Sequence, residues 1–349
     1  MSIPYRTRRV LKRIGTVLGV LVLVTVVFWL CWVIWLQRYV VYSDEGVSLD
    51  FEQSSYGLTG QVAVPPQAEE NISIFFNEGA DAINTGNEME QLNGYYITSE
   101  MFQKDMATVL TNIERLPAGT AVMIDMKGPF GSFFYESNLN DSLTSASTDI
   151  AAVAKLVERL KTKGFYTIAR ISAFRDRTFG ENHVTSGLYM LSRAGLWMDE
   201  DGMYWLDPTN SSTTNWISSV ALELKDLGFN EVMLADFRFP TSDKYIFEGD
   251  KDAALQTAAT KLMEACAAED FVLTFCVDSP SFQLPEGRCR MCLLDVDPNS
   301  VESKANMTEL EEKEIRLVFL SDSADTRYDA YGILRSIMVS EEVEARKGN

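Results

Sequence analysis

Three segments of the sequence place charged residues directly after apolar runs, where carboxylates are able to perform acid–base chemistry. They contain Asp125 and Lys127 in "MIDMKG", Arg170 in "IARIS", and Asp236 and Arg238 in "LADFRFP". Burying an ionised side chain without a partner is costly, so charges at these positions require partners. They form either structural ion pairs alone or a site in which a nearby cation keeps an acid ionised.

The rest of the composition narrows the chemistry to carboxylates. His183 is the only histidine, which excludes hydrolases with several histidine ligands. Cys289 and Cys292 form a C-x-x-C without a second pair or nearby histidines, and no glycine-rich phosphate loop follows an apolar run. The sequence therefore predicts no metal site and no cofactor.

The elements that position these charges follow a β/α alternation. Seven apolar runs predict strands, at residues 94–98, 120–126, 165–171, 230–236, 271–277, 289–296 and 315–320. Helical periodicity at 149–163 and 214–227 ends at Gly164 and Gly228, as helix C-termini commonly do. The pattern favours a (β/α)8 TIM barrel of the α/β class over a doubly wound sheet. An eighth strand is not evident, and residues 324–346 predict a closing helix.

In a parallel barrel the active site lies at the C-terminal ends of the strands. Because side chains alternate along a strand, Asp125 and Lys127 are predicted to share one face. Asp236 and Arg238 have the parity of Val232 and Leu234, and we expect both at the mouth of the barrel.

A loop before the fourth strand, "GLWMDEDGMYWLDPTNSS", combines Trp197, Trp205 and several acids. Aromatic rings and carboxylates are the components of a carbohydrate platform. The alternative is that both tryptophans only pack the loop onto the barrel.

Four motifs together resemble a bacterial family of predicted glycoside hydrolases. The family carries D-x-K after strand two, R-x-x-x-F-x-D after strand three, W-x-D-P in the next loop and D-Y-I-R-F-P at strand four. The similar segments here are "AVMIDMKGPFGSFFY", "YTIARISAFRD", "MYWLDPTN" and "GFNEVMLADFRFP", within residues 94–240.

The resemblance implies a TIM barrel related to α-galactosidase-like glycosidases, in which an acid at the end of strand four is the nucleophile. That position corresponds to Asp236. The other motif positions, which we expect to bind substrate, are Asp125, Lys127, Arg170, Asp176, Trp205, Asp207 and Arg238.

The C-terminal half departs from the family pattern, because the signature after strand six and a strand eight ending in tryptophan are missing. A glycosidase needs a second carboxylate. The candidates are Asp278 after strand five and Asp295 or Asp297 after strand six. The alternatives are a catalytically inactive carbohydrate-binding or envelope scaffold module, and a structural anchor that contacts only proteins.

The N-terminal region predicts a membrane anchor. A basic tail at residues 1–13 precedes 23 uncharged residues, 14–36, long enough for a transmembrane helix, and a polar stalk at 37–70 precedes the domain at 71–349. The positive-inside rule places the N-terminus in the cytoplasm and the domain outside the cell. A cleaved signal peptide is the alternative.

Charge restricts the partners of the domain. Residues 1–38 contribute +6 and the remainder −25 to the formal charge of −19. A domain with this negative charge is repelled by nucleic acid and by anionic lipid surfaces. We therefore expect no nucleic-acid partner, and a neutral or cationic carbohydrate as substrate.

Overall fold

The computed structural model describes residues 89–266 and 270–337, together with Thr25, Trp29 and the segments 40–43 and 46–49. The chain divides into two compact units, Met1–Phe75 and Phe76–Asn349. In the first unit, Val40–Ser43 and Gly46–Leu49 pair as antiparallel strands. Apart from Thr25 and Trp29, the predicted transmembrane segment 14–36 lies outside the described residues. Within the described residues, no helix has the length and apolar character needed to cross a membrane.

The second unit contains a closed barrel of eight parallel strands. The strands are β1 (Asn93–Ile97), β2 (Ala121–Lys127), β3 (Tyr166–Ser172), β4 (Glu231–Ala235), β5 (Val272–Cys276), β6 (Cys289–Leu294), β7 (Leu317–Leu320) and β8 (Gly332–Ser336). Each strand pairs in parallel with its sequence neighbours, and β1 pairs with both β2 and β8. The predicted TIM barrel is confirmed.

Helices cover the outside of the barrel unevenly. They are α1 (Ser99–Glu114), α2 (Ile150–Thr162), α3 (Arg177–Asn182), α4 (Ser211–Asp226), α5 (Lys251–Cys266), α6 (Val301–Met307) and α7 (Lys313–Arg316). Residues 277–288, all described, connect β5 to β6 without a helix, and only the short α6 and α7 lie between β6 and β7. Within residues 270–337, the C-terminal half therefore has a complete set of strands but only short helices.

The prediction of a closing helix at residues 324–346 is wrong for Gly332–Ser336, which form strand β8. Gly332 shows why a strand fits there: a Cβ atom would lie 2.7 Å from the carbonyl oxygen of Leu317 and 3.1 Å from that of Leu92. Such close backbone approach occurs between paired strands, and pairing with β7 and β1 satisfies the backbone polar groups of β8 on both sides. Residues 338–349 lie outside the described part.

Alternate residues of each strand fill the barrel interior. One buried cluster contains Leu92, Ala121, Met123, Ile168, Met233, Cys276, Cys292, Val318 and Leu334. Cys276 is thus the small core residue that its apolar surroundings predict. Cys289 and Cys292 are three residues apart in one strand, so their side chains point to opposite faces. The C-x-x-C therefore does not direct both sulfurs towards one metal ion.

Candidate active site

Asp125 and Arg170 meet at the C-terminal ends of β2 and β3. Arg170 Nη1 donates to Asp125 Oδ1 at 2.9 Å, and the backbone N–H of Ser99, in the first turn of α1, donates to Oδ2 at 2.9 Å. Both carboxylate oxygens therefore have donors, and the carboxylate is buried while the Arg170 side chain is 30 % exposed. Asp125 thus positions Arg170, which contacts the solvent at the mouth.

Strand alternation alone predicts that Lys127 shares the face of Asp125, but in the structure it does not. A register shift between these two residues pairs Lys127 with Ile171 instead of Ser172. Lys127 Nζ lies 2.7 Å from Asp176 Oδ2 and donates to the carbonyl oxygen of Ser172 at 2.9 Å.

The Lys127–Asp176 pair is closed to solvent. The side chains are 2 % and 0 % exposed. Asp176 also accepts from the Trp216 indole N–H at 3.1 Å and from the backbone N–H of Phe179 at 2.9 Å, which caps α3. This pair fixes the loops that follow β2 and β3 and has no surface for substrate.

Asp236 reaches the mouth through a backbone turn rather than through strand parity. Met233 lies in the interior cluster, so Val232 and Leu234 face the outer helices, and continued alternation would direct Asp236 outward. The strand ends at Ala235, and Asp236 has a left-handed φ of +53°. The turn brings its Oδ2 to the hydroxyl of Ser172, which donates at 2.7 Å. Asp236 therefore lies at the mouth as expected, but the backbone turn, and not strand parity, is the reason.

Arg238 connects Asp236 to a second carboxylate. Its Nη2 lies 4.0 Å from Asp236 Oδ1, and its Nε lies 3.6 Å from Asp278 Oδ1. Guanidinium nitrogens are roughly 2 Å apart, so these two carboxylate oxygens are less than about 10 Å from each other. Glycosidases place their carboxylates about 5 Å apart for retention and about 6.5 to 9.5 Å apart for inversion.

The surroundings of Asp278 favour its protonated form. Partial burial raises the pKa of the Asp278 carboxyl, the positive charge of Arg238 lowers it, and the negative charge of Asp236 raises it further. The net effect is a raised pKa. A carboxyl group of this kind beside an ionised one is the arrangement that separates a general acid from a nucleophile or base.

A third carboxylate, that of Asp295, lies at the end of the neighbouring strand β6. It follows β6, is exposed and has a left-handed φ of +49°. Together with Asp278 it lines a cavity of about 300 Å³. Asp297 lines the same cavity, but it also accepts from the backbone N–H of Asn299 at 2.8 Å and caps a 3₁₀ turn. The structure thus brings Asp236, Asp278 and Asp295 together along β4, β5 and β6.

The loop before β4 uses most of its predicted platform residues for its own structure. Trp205 is 3 % exposed, and its indole N–H donates to Asp199 Oδ2 at 2.9 Å. Asp207 accepts from the backbone N–H of Thr209 at 2.8 Å and from its hydroxyl at 2.7 Å. Trp197 is partly exposed and lines a cavity of about 450 Å³.

Ser172 was not identified from the sequence, although a signal was present. It lies two residues after Arg170 in β3 and therefore has the same inward parity. Among the described residues, no group of three or more histidine, cysteine, aspartate or glutamate side chains is arranged to hold a metal ion.

A family model described as "Putative glycosyl hydrolase domain" matches residues 94–275. The matched segment contains Asp125, Arg170, Asp236 and Arg238, and it ends before Asp278. The motif D-Y-I-R-F-P itself does not occur, because Asp236 and Arg238 are separated by one residue instead of two. No curated protein matches the chain.

Several solved structures are similar to the chain. A hypothetical protein from Ruminiclostridium thermocellum has a TM-score of 0.45 and 20% identity over 52% of this chain and 96% of that one. An exo-β-N-acetylglucosaminidase from Vibrio harveyi has a TM-score of 0.47 and 8% identity, and the match covers 68% of this chain and 42% of that one. An α-galactosidase from Thermus thermophilus has a TM-score of 0.46 and 14% identity, and the match covers 74% of this chain and 61% of that one. The chain thus covers less than two thirds of either enzyme.

Proposed function

The chain belongs to the family described as "Putative glycosyl hydrolase domain", and from this premise we propose that it hydrolyses glycosidic bonds with Asp236 and Asp278. The observation that carries the proposal is the sharing of Arg238 by two carboxylates at adjacent strand ends. The upper limit on the distance between their oxygens includes the separations that glycoside hydrolysis uses, and the raised pKa of Asp278 suits a general acid.

Asp236 acts on the anomeric carbon. The Ser172 hydroxyl donates to one of its oxygens, and Arg238 lies near the other, so both contacts orient the carboxylate. Asp236 attacks or electrostatically stabilises the positive charge that develops on the sugar ring as the glycosidic C–O bond breaks. Its left-handed backbone is one that aspartate and asparagine tolerate better than most residues.

Asp278 supplies the proton. As the glycosidic bond breaks, its carboxyl transfers a proton to the leaving oxygen. A water molecule then gives its hydroxyl group to the anomeric carbon and returns its proton to the Asp278 carboxylate. The raised pKa keeps this proton in place at higher pH than an ordinary aspartate would. Arg170, positioned by Asp125, is available to bind a sugar hydroxyl at the same mouth.

The proposal is tested with the full-length chain on a panel of aryl glycosides and purified envelope polysaccharides. We expect hydrolysis of at least one substrate, and a loss of about 10³-fold in kcat for Asp236→Asn. Asparagine preserves the left-handed turn, so the unfolding midpoint should change little. Absence of any hydrolysis by the wild type, combined with binding of a glycan, would favour the non-catalytic binding module instead.

Asp278→Asn tests the acid role separately. It should slow unactivated glycosides by about 10²-fold or more but affect a dinitrophenyl glycoside much less, because that leaving group departs without a proton. Asp295→Asn is the matched control, since Asp295 lies on the next strand and lines the same cavity as Asp278. If Asp295→Asn shows this dependence on the leaving group and Asp278→Asn does not, the assignment of the acid is incorrect.

We further propose that residues 14–36 anchor the protein in the cell membrane with its C-terminal domain outside. The support is the uncharged run of 23 residues preceded by five basic ones. Protease added to intact cells should then remove the domain, and protection of the domain under those conditions would contradict the orientation.

A further inference from the structure

Two cavities adjoin the Arg238–Asp278 contact, and each of these two residues lines one of them. The Trp197 cavity, of about 450 Å³, is lined by Trp197, Trp205 and Arg238, and also by residues 240–242 and Lys244. The Asp295 cavity, of about 300 Å³, is bounded by Asp278, Asp295 and Lys304. Arg238 lines the first cavity and Asp278 the second, and their side chains are 3.6 Å apart.

We infer that the two cavities bind neighbouring units of one glycan chain, so that the protein cleaves internal bonds of a polysaccharide. The inference rests on the proposed function. One sugar occupies the space over Asp236 and Arg238, the preceding sugar occupies the Trp197 cavity, and the following sugar occupies the Asp295 cavity. Two binding cavities, one for each side of the cleaved bond, accept the middle of a chain, whereas a single closed pocket accepts only its end.

The role of Asp278 gives the chain a direction. A general acid must lie beside the oxygen of the leaving group. Asp278 lines the Asp295 cavity, so the leaving part of the chain lies there. The part that retains the attacked anomeric carbon extends from Asp236 past Arg238 into the Trp197 cavity.

The Trp197 cavity has the rigid aromatic wall that sugar stacking requires. The centroids of the Trp197 and Tyr245 rings are 5.5 Å apart, and Tyr245 is buried behind the exposed part of the indole. The loop is held by Arg175, whose Nε lies 2.6 Å from Asp199 Oδ2, and by the hydrogen bond from Trp205 to Asp199. A preformed wall of this kind binds a flat sugar face at small entropic cost.

The Asp295 cavity differs in chemistry. Among the described residues, no aromatic side chain lines it, and its charged residues are three carboxylates and Lys304. Hydrogen bonds to hydroxyl groups are therefore its means of binding, and a negatively charged sugar is repelled. The substrate class is a chain of neutral or positively charged sugars, and the leaving side is bound more weakly than the stacked side.

Chain-length kinetics test the inference. With end-labelled oligosaccharides of two to six units, the wild type should cut internal bonds, and kcat/KM should rise with length until both cavities are filled. Trp197→Ala should lower kcat/KM for the longer oligosaccharides by about tenfold, because it removes the stacking surface. Hydrolysis of an aryl monoglycoside should be unchanged, since that substrate does not reach the Trp197 cavity.

Leu191→Ala is the control, because Leu191 is an exposed aliphatic residue six positions before Trp197 that lines neither cavity. It should match the wild type on every oligosaccharide within about twofold, as no ring is lost. Release of terminal sugars alone, or equal effects of the two variants, would overturn the inference while leaving the proposed hydrolysis intact. If no glycoside of any length is hydrolysed, the proposed function itself fails, and the inference fails with it.

Discussion

At the N-terminal end of the barrel Glu231 and Arg290 form an ion pair of 3.2 Å, whereas at the C-terminal end Arg238 lies 3.6 Å from Asp278 and 4.0 Å from Asp236. The first pair is closed, with side chains 0 % and 3 % exposed. At the other end the side chains of Asp236, Arg238 and Asp278 are 21 %, 28 % and 63 % exposed. The same types of charged group thus occur in opposite states of solvation.

The closed pair is also fully hydrogen-bonded. Glu231 accepts from the hydroxyls of Thr274 and Tyr166, the latter at 2.9 Å, in addition to Arg290. Arg290 Nη1 donates to the carbonyl oxygen of Glu90 at 2.8 Å. No capacity for a ligand remains, and the cost of burying both charges is offset by these contacts.

Incomplete hydrogen bonding, rather than charge pairing or position in the barrel, distinguishes the candidate site from the structural ion pairs. Lys127 and Asp176 lie at the C-terminal end yet are as closed as Glu231 and Arg290. The long contacts of Arg238, in contrast, leave carboxylate oxygens accessible to a substrate. Buried pairs hold the barrel together, and the open cluster is available for chemistry.

Removing the charge of Glu231 should have the largest effect on stability. Glu231→Gln leaves Arg290 buried without a counter-charge, and we expect a loss of about 3 to 5 kcal/mol in the free energy of unfolding. Urea unfolding followed by circular dichroism measures this. The kcat of the molecules that remain folded should not change, in contrast to Asp236→Asn.

The control for that experiment is Glu231→Leu combined with Arg290→Met, which replaces both charges with apolar groups and should recover much of the lost stability. A loss below about 1 kcal/mol for Glu231→Gln would contradict the structural role of the closed pair, since both ends of the barrel would then tolerate the loss of a charge equally well.

Arg238→Gln should have a smaller effect, which is confined to the open end. Arg238 lowers the pKa of Asp278, so its removal raises that pKa further. A general acid with a higher pKa keeps its proton to higher pH, and the alkaline limb of the pH profile of kcat/KM should move to higher pH. Lys244→Gln is the control, as Lys244 lines the Trp197 cavity together with Arg238. A limb that moves to lower pH, or not at all, would contradict the role of Asp278.

The smallest effect is expected at the surface pair Arg193–Glu248. Its nitrogen and oxygen are 3.1 Å apart, closer than any contact of Arg238 with a carboxylate, but the side chains are 72 % and 83 % exposed. Arg193→Gln should change the free energy of unfolding by less than about 0.5 kcal/mol, since water screens exposed pairs. A change comparable with that of Glu231→Gln in the same urea titration would show that distance, not burial, determines the value of a pair.

Much of the fold follows from local patterns. Seven of the eight strands coincide with apolar runs, and α2 and α4 end beside the glycines that predict their ends. The exception is β8, whose apolar residues are as compatible with a helix as with a strand when taken alone. Only the presence of β1 and β7 on either side makes the extended form favourable, because both neighbours supply its hydrogen bonds.

The sequence indicates which charged residues follow the strands, but it does not show which of them pair with one another. Asp125, Arg170, Asp236 and Arg238 lie at the mouth as expected, but Lys127 and Asp176 are withdrawn from it as a buried pair. The register shift in β2 and the left-handed turn at Asp236 each interrupt the alternation from which side-chain direction was inferred.

The sequence by itself determined which residues carry charge, that they follow strands, and that the strands belong to a β/α barrel, because hydrophobic periodicity is a local property. Only the tertiary structure decided that Asp278, rather than another acid of the C-terminal half, shares Arg238 with Asp236. Those residues lie on different strands, and their distance depends on barrel closure and on two local departures from regular geometry, which a linear pattern does not encode.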